Sequence, residues 1–345
     1  MKRYKYLGYM MMANGGQKEH IEERVKKGAV VIREVWGIGK RKFGKNWARR
    51  MWLFDRLVWT VVSYGAEIWG WKERKKVERI QDRYLKWVIG VGRYTPGYMV
   101  REEMQREKLR GRAGMRAWSY EKKLGEGGGG ELARLCWEEI RGRAKEGKVM
   151  GKWEEERRSF YEEKSWNIKE IEKLREEGGL RGEEVVARER RRQEEERWEK
   201  IRSSKFNRWY NRVKGKGVPE YLKRDWKEER WKRIARFRLG DGMRGGRYWE
   251  EKEKRKCRIC GWGEETWEHI WEECTDWGTE KGWQEMVGEV LGERGEGEVW
   301  MRKLEEMREG GGWLGMNESV EGREERVEKS GGNGGPKNEC GGVDG

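Results

Sequence analysis

The chain has 345 residues, of which 42% are charged and only 34% hydrophobic, and it carries a net charge of +16. An average globular protein is roughly 45–50% apolar, so we expect packed segments joined by long solvated helices. No apolar stretch follows the basic start Met1–Tyr6, and the most apolar run, Leu57–Trp69, falls short of the roughly 20 residues that cross a bilayer. These features argue against secretion and a membrane span. We expect an intracellular protein of the cytoplasm and/or nucleus.

The positive charge is concentrated upstream of Lys281. From Lys281 onward the chain holds 9 Lys and Arg against 15 Asp and Glu, a net of −6, which leaves +22 for residues 1–280. A basic body of this kind favours a polyanionic partner such as nucleic acid. The sequence therefore predicts a nucleic-acid-binding body followed by an acidic tail.

The N-terminal elements begin with a short strand. The stretch Tyr4–Met12 has the alternation of a strand, and Asn14–Gly16 is a turn signal. A helix is expected from about Lys18, because apolar residues recur there at helical spacing. Gly37 and Gly39 are expected to end this helix.

Two further helices complete the predicted N-terminal bundle. The stretch from about Trp47 to Trp71 is apolar on nearly all sides, so we expect one helix at the buried centre of the domain. Another helix, from about Arg74 to Ile89, has an apolar face and is broken by Gly90. A basic segment, residues 40–45, leads into the first of these two helices.

The middle of the chain alternates charged helices with glycine-rich breaks. The run Gly125–Gly130 lacks the Gly-Lys-Ser/Thr ending of a phosphate loop and is interpreted as a linker. Residues 150–235 carry the mixed charge runs of solvated helices with pairs four residues apart. In residues 205–216 and 227–238, Lys and Arg interleave with aromatic residues. These rings could stack on unpaired bases while the cations neutralise phosphates, or the rings could lie in a helical core. Both can hold at once, with the rings inward and the cations outward.

After Trp277 the chain offers two short helical candidates and then a polar tail. The candidates are Trp283–Leu291 and Val299–Met307. From Gly310 the sequence is rich in Gly and Glu and has scarcely any core-forming residue, so we expect disorder to the end, including Cys340.

A Cys/His motif with the spacing C-x2-C-x8-H-x4-C holds three of the five cysteines and one of the two histidines. Such a set can close a tetrahedral Cys3His shell around Zn²⁺, with Cys257, Cys260, His269 and Cys274 as ligands. Four protein ligands leave no open position, so the predicted site is structural and not catalytic. Because His269 and Cys274 are five residues apart, we expect the helix that carries His269 to end before Cys274. The alternative is a disulfide or a chance cluster.

Several segments stand out by their order and spacing. They read Lys5-Tyr-Leu-Gly-Tyr9, Val61-Val-Ser-Tyr-Gly-Ala-Glu-Ile-Trp69, Ile80-Gln-Asp-Arg-Tyr-Leu-Lys-Trp-Val-Ile-Gly90 and Thr95-Pro96. Together they resemble the end of the palm and the thumb of the reverse transcriptases of non-LTR (LINE-type) retrotransposons. Arg236–Gly240, followed by the Cys/His motif with Glu264–Thr266, is similar to the C-terminal region of the same proteins. The match runs discontinuously over about residues 4–275.

The patterns and the resemblance together imply a mainly α fold. Its parts are a helical thumb bundle with a short N-terminal β element, a charged helical linker, a small zinc-stapled module and a disordered C-terminal tail. The expected boundaries are 1–17 for the end-of-palm strand and turn, 18–124 for the thumb-like helical domain, 125–245 for the charged helical linker region, 246–280 for the CCHC zinc module and 281–345 for the mostly disordered acidic tail.

The resemblance also bears on activity. Members of the family polymerise DNA with two adjacent palm aspartates that hold Mg²⁺ upstream of the Tyr-Leu-Gly strand. This chain begins at that strand and contains no Asp-Asp pair, whereas two-metal phosphoryl transfer needs such carboxylates. We therefore expect a truncated fragment that lacks polymerase activity, a Mg²⁺ site and a small-molecule substrate. Its expected partners are RNA and/or an RNA–DNA hybrid, together with a palm domain in trans.

Phosphate contacts are expected from Lys and Arg in three segments, and they would set affinity more than sequence preference. The candidates are Lys40, Arg41, Lys42, Lys45, Arg49 and Arg50 at the thumb, Lys205, Arg208, Arg212 and Lys214 in the linker, and Lys254, Arg255, Lys256 and Arg258 beside the zinc.

Two other interpretations stay open. The chain could be a structural or protein-interaction module, in which zinc staples a small domain and Trp262, Trp267 and Trp271 pack against a partner. It could also be a degenerate element copy without selected function, because a composition rich in Trp and Gly but poor in Pro and His indicates a G-rich, C-poor coding strand. Salt dependence separates nucleic-acid binding from an apolar protein interface, since only phosphate contacts weaken strongly with salt.

Overall fold

The computed structural model describes residues 3–146, 150–274, 277 and 280–309. The chain divides into two compact units. One consists of Met1–Gly242 together with Val287–Glu298, and the other consists of Met243–Met286 together with the chain from Val299 on. The disorder predicted from Gly310 lies outside the described residues, as does Cys340.

The described residues are mainly helical, which confirms the predicted fold class. The N-terminal β element consists of the antiparallel strands β1 (Arg3–Tyr6) and β2 (Tyr9–Met12). The helices of the first unit are α1 (Lys18–Lys42), α2 (Trp47–Leu53), α3 (Trp59–Val62), α4 (Ala66–Trp69), α5 (Lys75–Ile89), α6 (Gly97–Glu103), α7 (Leu109–Gly125), α8 (Glu131–Lys145), α9 (Lys152–Glu162), α10 (Ile168–Glu176), α11 (Gly182–Arg202), α12 (Tyr210–Val213), α13 (Glu220–Lys223) and α14 (Glu228–Arg238). Helix α15 (Lys252–Arg255) lies in the second unit, while α16 (Trp283–Val290) and α17 (Glu298–Glu309) contribute residues to both. The described residues also include two π-helical turns, at Phe54–Val58 and His269–Cys274.

The stretch Tyr4–Met12, which we predicted to be one strand, is part of a hairpin. Tyr6 pairs with Tyr9, so Leu7 and Gly8 form a two-residue turn with φ angles of 45° and 82°. Positive φ at both central residues is typical of the tight turns that match the twist of a hairpin. The alternation therefore indicated β structure correctly but missed the turn.

Helix α1 runs past the glycines that we expected to end it. It continues through Gly37 and Gly39 to Lys42, so residues 40–42 form its last turn. Gly39 is buried, and a Cβ atom there would come within 3.3 Å of the ring of Trp87. This glycine therefore permits close packing instead of a helix end. The cations of the last turn interact favourably with the helix dipole.

The apolar stretch Trp47–Trp71, which we predicted to be one helix, is divided into α2, a π-helical turn, α3 and α4. The chain breaks before α4 at Gly65, whose φ of 73° lies in the left-handed region. The predicted place of the stretch in the core is confirmed, because Phe54 and Val58 have no exposed surface. The prediction for the next helix is also confirmed: α5 ends at Gly90 with a φ of 76°.

A buried ion pair joins α6 to α14 in the first unit. Glu103 and Arg238 have no exposed side-chain surface, and Nε of Arg238 donates to Oε1 of Glu103 at 2.6 Å. The hydroxyl groups of Tyr210 and Tyr221 donate to the same carboxylate, each at 2.9 Å. Burial opposes ionisation, but the neighbouring Arg238 charge holds the pKa of Glu103 below its usual value. Part of the high charge content is therefore internal.

The second unit contains a cluster of tryptophan rings. The ring centroids of Trp271 and Trp277 are 4.4 Å apart, and that of Trp300 on α17 lies 5.6 Å from Trp271. Trp267 is buried as well. Two of the three tryptophans that we considered for a partner interface, Trp267 and Trp271, thus pack within their own unit, and Trp262 alone is exposed among the three.

Helices α16 and α17 confirm the two helical candidates predicted after Trp277. Within the described part of the chain, no helix combines the length and the apolar character that a bilayer crossing requires.

Candidate metal centre and basic surfaces

Four ligand atoms of the Cys/His motif converge in the second unit. One atom each from Cys257, Cys260, His269 and Cys274 lies within 4.8 Å of all the others. The Sγ atoms of Cys257 and Cys274 are 3.6 Å apart, and Sγ of Cys260 is 3.1 Å from Nε2 of His269. A tetrahedral zinc ion with bonds of about 2.3 Å to sulfur separates two thiolates by about 3.8 Å. The four side chains therefore fit a tetrahedral metal.

The first two ligands lie on a tight loop. The backbone N–H of Cys257 donates to the carbonyl of Gly263 at 3.1 Å, and that of Gly261 donates to the carbonyl of Cys257 at 3.0 Å. Gly261 and Gly263 have φ angles of 75° and 55°, a region that glycine adopts without strain. A Cβ atom at Gly263 would also stand 3.1 Å from the imidazole of His269. Glycine at this position thus lets the loop turn and the ligand approach.

The second pair of ligands lies on a π-helical turn, which corrects our expectation. We expected the helix to end before Cys274, because an α-helix does not place residues five apart on one face. The turn His269–Cys274 is π-helical, and its hydrogen bonds join residues five apart. It therefore brings His269 and Cys274 to the same face without ending. The side chain of Trp277 donates to the carbonyl of Ile270 at 2.8 Å and caps this turn.

A carboxylate orients the histidine ligand. Nδ1 of His269 lies 2.9 Å from Oε2 of Glu273, so Nδ1 donates and Nε2 is left to face the thiols. Metal-bound histidines commonly have such a carboxylate partner, which fixes the tautomer and the ring orientation. Burial alone would lower the pKa of His269, but the hydrogen bonds with Glu273 and Cys260 outweigh it and raise this pKa. The role of Glu273 was not predicted from the sequence. The available signal was its position four residues after His269, because residues four apart on a helix lie on the same face.

The thiols differ in their environments. Burial raises the pKa of the Cys257 thiol. At Cys260 burial also opposes ionisation, but the backbone N–H of Trp262 and the imidazole of His269 outweigh it and lower the pKa of this thiol. Because a metal binds the thiolate, the surroundings of Cys260 favour the ligating form more than those of Cys257 do.

The buried carboxylate of Glu265 fixes the loop that carries Cys257 and Cys260. Glu265 has no exposed surface and accepts hydrogen bonds from the backbone N and Nε of Arg258, at 3.1 and 2.7 Å, and from Arg308 at 2.9 Å. Burial alone would raise the pKa of Glu265, but the two arginines outweigh it and hold this pKa below its usual value. Arg258, which we predicted to contact nucleic acid, therefore serves to fix the Cys/His loop. Sequence reasoning missed both Glu265 and Arg308.

Five of the predicted thumb contacts form an exposed basic surface, which we call the 40–49 surface. Its members are Lys40, Arg41, Lys42, Lys45 and Arg49. They belong to the last turn of α1, the following loop and the first turn of α2. Within the described chain, none of the five forms an ion pair with an acidic side chain. Their cationic groups are therefore free for an external anion.

Two predicted contacts are corrected by their burial. Arg50 has no exposed surface, and its guanidinium donates to Glu228 and to the carbonyls of Phe43 and Gly44. Lys214 has a fully buried side chain whose ammonium donates to backbone carbonyls of the loop that follows. Both cations satisfy groups within the protein, so neither can contact a phosphate.

The basic residues of the linker keep their charges outward and their aromatic neighbours inward. Lys205, Arg208 and Arg212 are exposed. Trp209, by contrast, is buried, and the guanidinium groups of Arg208 and Arg212 lie 4.9 and 5.0 Å from its ring centroid. Phe237 is buried too. The alternative in which these rings form a core is therefore confirmed, and stacking of bases on them is excluded.

The remaining predicted contacts beside the metal are paired with acids of their own unit. Lys254 pairs with Glu251 at 3.2 Å and Lys256 with Glu253 at 2.7 Å, and both lysines stay at least half exposed. Arg255 is largely buried and pairs with Glu264 at 3.1 Å. Cations near the metal are thus neutralised locally, in contrast to the 40–49 surface.

Comparison with models of protein families, with curated proteins and with solved structures finds no match for this chain. The geometry of the Cys/His cluster and the distribution of charge are therefore the features of this chain that bear on its function.

Proposed function

We propose that this chain binds RNA and/or an RNA–DNA hybrid through its phosphate backbone, with the 40–49 surface as the main contact. The observation that carries the proposal is the run of five exposed cations without an acidic partner. Residues 40–50 hold six Lys and Arg and no Asp or Glu, and only Arg50 is withdrawn into the fold. Cations of this kind release counterions from phosphates and so bind nucleic acid with little sequence preference.

The rest of the first unit shows why such free cations are distinctive. Arg110 binds Glu189 at 2.8 Å and Glu196 at 3.1 Å, and Arg74 binds Glu156. Many other arginines of the unit have similar partners. A paired cation would have to give up its carboxylate before it could bind a phosphate, so it contributes little to nucleic-acid affinity.

The resemblance to the thumb of non-LTR reverse transcriptases supports the same use. We propose that the first unit holds a template–primer duplex by its backbone, in the manner of a polymerase thumb. The chain itself is proposed to be non-catalytic.

The metal is proposed to be Zn²⁺ with a structural role. Three thiols and one imidazole in tetrahedral reach are the ligands that zinc prefers, and they leave no position for a substrate. A site of thiolates suits a reducing compartment, so we propose the cytoplasm and/or nucleus as its location.

The experiment is a salt titration of RNA affinity on three proteins. In the test variant, all five residues of the 40–49 surface are changed to Gln. The matched control removes the same charge from cations with a partner four residues away, Lys122, Arg134, Arg143, Lys173 and Arg188. If the five cations neutralise five phosphates, the slope of log affinity against log salt becomes shallower by about 3.5 for single strands in the test variant. The control should keep most of the wild-type slope.

Two results would overturn the proposal. One is a wild-type chain that does not bind RNA at 50 mM salt. The other is an equal loss of slope in the test variant and in the control, because net charge alone would then explain the binding.

A second function, protein interaction, is supported by four exposed apolar side chains on the first unit. Trp52, Leu57, Tyr64 and Ile68 are 49%, 41%, 40% and 40% exposed and come from consecutive segments of the apolar stretch. Exposed apolar side chains of this size can contact the apolar surface of a protein partner. Binding through these side chains would hardly respond to salt, which separates it from the leading proposal.

A further inference from the structure

Trp262 is exposed in a way that most tryptophans of this chain are not. It is 79% exposed, and among the tryptophans that the structure describes only Trp52 is also exposed. The indole ring is the largest apolar side chain, and leaving it in water forgoes the free energy that burial would provide. The position of this ring therefore calls for an explanation beyond folding.

The loop holds Trp262 in a defined position. Its backbone N–H lies 3.4 Å from Sγ of the ligand Cys260, and a positive-φ glycine stands on each side of it. Residues 256 and 264 pair as an antiparallel bridge and close the loop at its base. The backbone that carries the ring is therefore ordered before a ligand binds, which reduces the entropy lost on binding.

The charge around Trp262 argues against binding by phosphate neutralisation. Residues 243–274 hold seven Lys and Arg against eight Glu. The cations nearest to the loop are engaged, since Arg255 pairs with Glu264 and Arg258 with the buried Glu265. This part of the second unit therefore presents an exposed aromatic ring to a ligand, and it does not present a cluster of unpaired cations.

The surroundings of Trp262 favour a flat aromatic ligand over a protein. Gly261, Gly263 and Glu264, its neighbours along the chain, are exposed and offer no apolar side chain. A hot spot in a protein interface needs a surrounding ring of contacts that excludes water, and none of these neighbours supplies one. Stacking on a nucleobase needs only the face of the ring, and every base provides such a face.

We propose that Trp262 stacks on an unpaired nucleobase, so that the metal unit recognises single-stranded nucleic acid by a contact insensitive to salt. This inference rests on the proposed nucleic-acid binding and assigns a distinct task to the second unit. The 40–49 surface supplies the salt-dependent affinity for any backbone, while Trp262 distinguishes unpaired strands from duplexes.

The test uses the full, zinc-loaded chain with a single-stranded RNA and a blunt RNA duplex of equal length, at 50 and 200 mM salt. Trp262→Ala should weaken single-strand binding about 5- to 150-fold. The factor should be the same at both salts, and duplex binding should be unchanged. Trp262→Phe should retain most of the affinity.

Trp262→Leu, which keeps an apolar side chain but removes the ring, should weaken single-strand binding as much as Trp262→Ala does. Trp52→Ala is the matched control and should leave the preference for single strands unchanged.

Each contrary result is informative. If the wild type binds RNA but Trp262→Ala binds single strands as well as the wild type does, the stacking role is wrong and the proposed function stands. The same conclusion follows if Trp262→Ala weakens duplexes equally, or if Trp262→Leu keeps full affinity. If the wild type binds neither RNA, the proposed function and this inference both fail.

Discussion

Nε2 of His269 and Sγ of Cys260 lie 3.1 Å apart, although nine positions separate the two residues in the chain. One comes from a π-helical turn and the other from a glycine-rich loop. Their approach, together with the two other cysteines, is the geometric basis for the proposed zinc site.

Glu273 should tune metal affinity without being a ligand. In Glu273→Gln, the amide is a weaker acceptor for Nδ1 of His269, so the imidazole becomes a poorer metal ligand. Loss of such partners typically lowers metal affinity by about 10- to 100-fold. Competition with a chromophoric chelator would measure the change. Glu272→Gln is the matched control, because the exposed side chain of Glu272 lies next to Glu273 in the chain and outside this hydrogen bond. Equal affinities of the two variants would contradict the assigned role.

Removal of Arg238 should destabilise the first unit strongly. In Arg238→Met, the carboxylate of Glu103 would stay buried without its counter-charge, and such losses cost about 3–5 kcal/mol of unfolding free energy. Urea denaturation gives this quantity. Arg134→Met, in which an exposed pair with Glu138 is lost, should cost at most about 1 kcal/mol. A double variant with Glu103→Gln should recover part of the loss. Similar stabilities of the two single variants would contradict the buried network.

His20 should make stability depend on pH in the mildly acidic range. Nε2 of His20 donates to the carbonyl of Tyr64 at 2.9 Å, while Nδ1 accepts from the backbone N–H of Met10 at 3.3 Å. This pattern requires the neutral ring, and burial is the main cause that lowers the pKa of His20.

The sign of the effect follows from the unfolded state, where a histidine binds its proton near pH 6.5. Above that pH the ring is neutral in both states and its stabilising contribution is complete. As the pH falls from about 6.5 towards the lower pKa of the folded state, the unfolded chain gains protons first and stability declines. The difference in unfolding free energy between the wild type and His20→Gln should therefore shrink over this range. A difference that stays constant from pH 8 to pH 5 would contradict the burial of a neutral ring.

The sequence predicted the elements of the fold better than their ends. Hydrophobic periodicity identified α5. The glycine that follows its apolar face, Gly90, identified its end, because a glycine that can adopt a left-handed conformation is a local signal for the end of a helix. Gly39 was read as a helix end, but this glycine accommodates Trp87, a tertiary contact that a local pattern does not contain. The break at Gly65 was missed because the apolar stretch around it continues without interruption.

The candidate site shows the same limit. Spacing alone predicted four candidate ligands, and the structure brings their ligand atoms within 4.8 Å of one another. The π-helical turn was not predicted, since an inserted residue in a helix has no strong sequence signature. Arg50 and Lys214 were expected on the surface because they lie in basic runs. The burial of Arg50 depends on Glu228, an acceptor far away in the chain, and that of Lys214 on the carbonyls of the following loop together with the distant Glu293.

The most direct test of the account is the zinc content of the purified full-length chain. We predict a stoichiometry near one per chain for the wild type and for Cys136→Ser, whose cysteine is exposed on α8 and distant in sequence from the motif. Cys257→Ser should lose the metal. If the wild type holds no zinc, or if Cys257→Ser keeps a full equivalent, the Cys/His cluster is not the proposed metal centre. The loop that presents Trp262 would then have no ion to hold it.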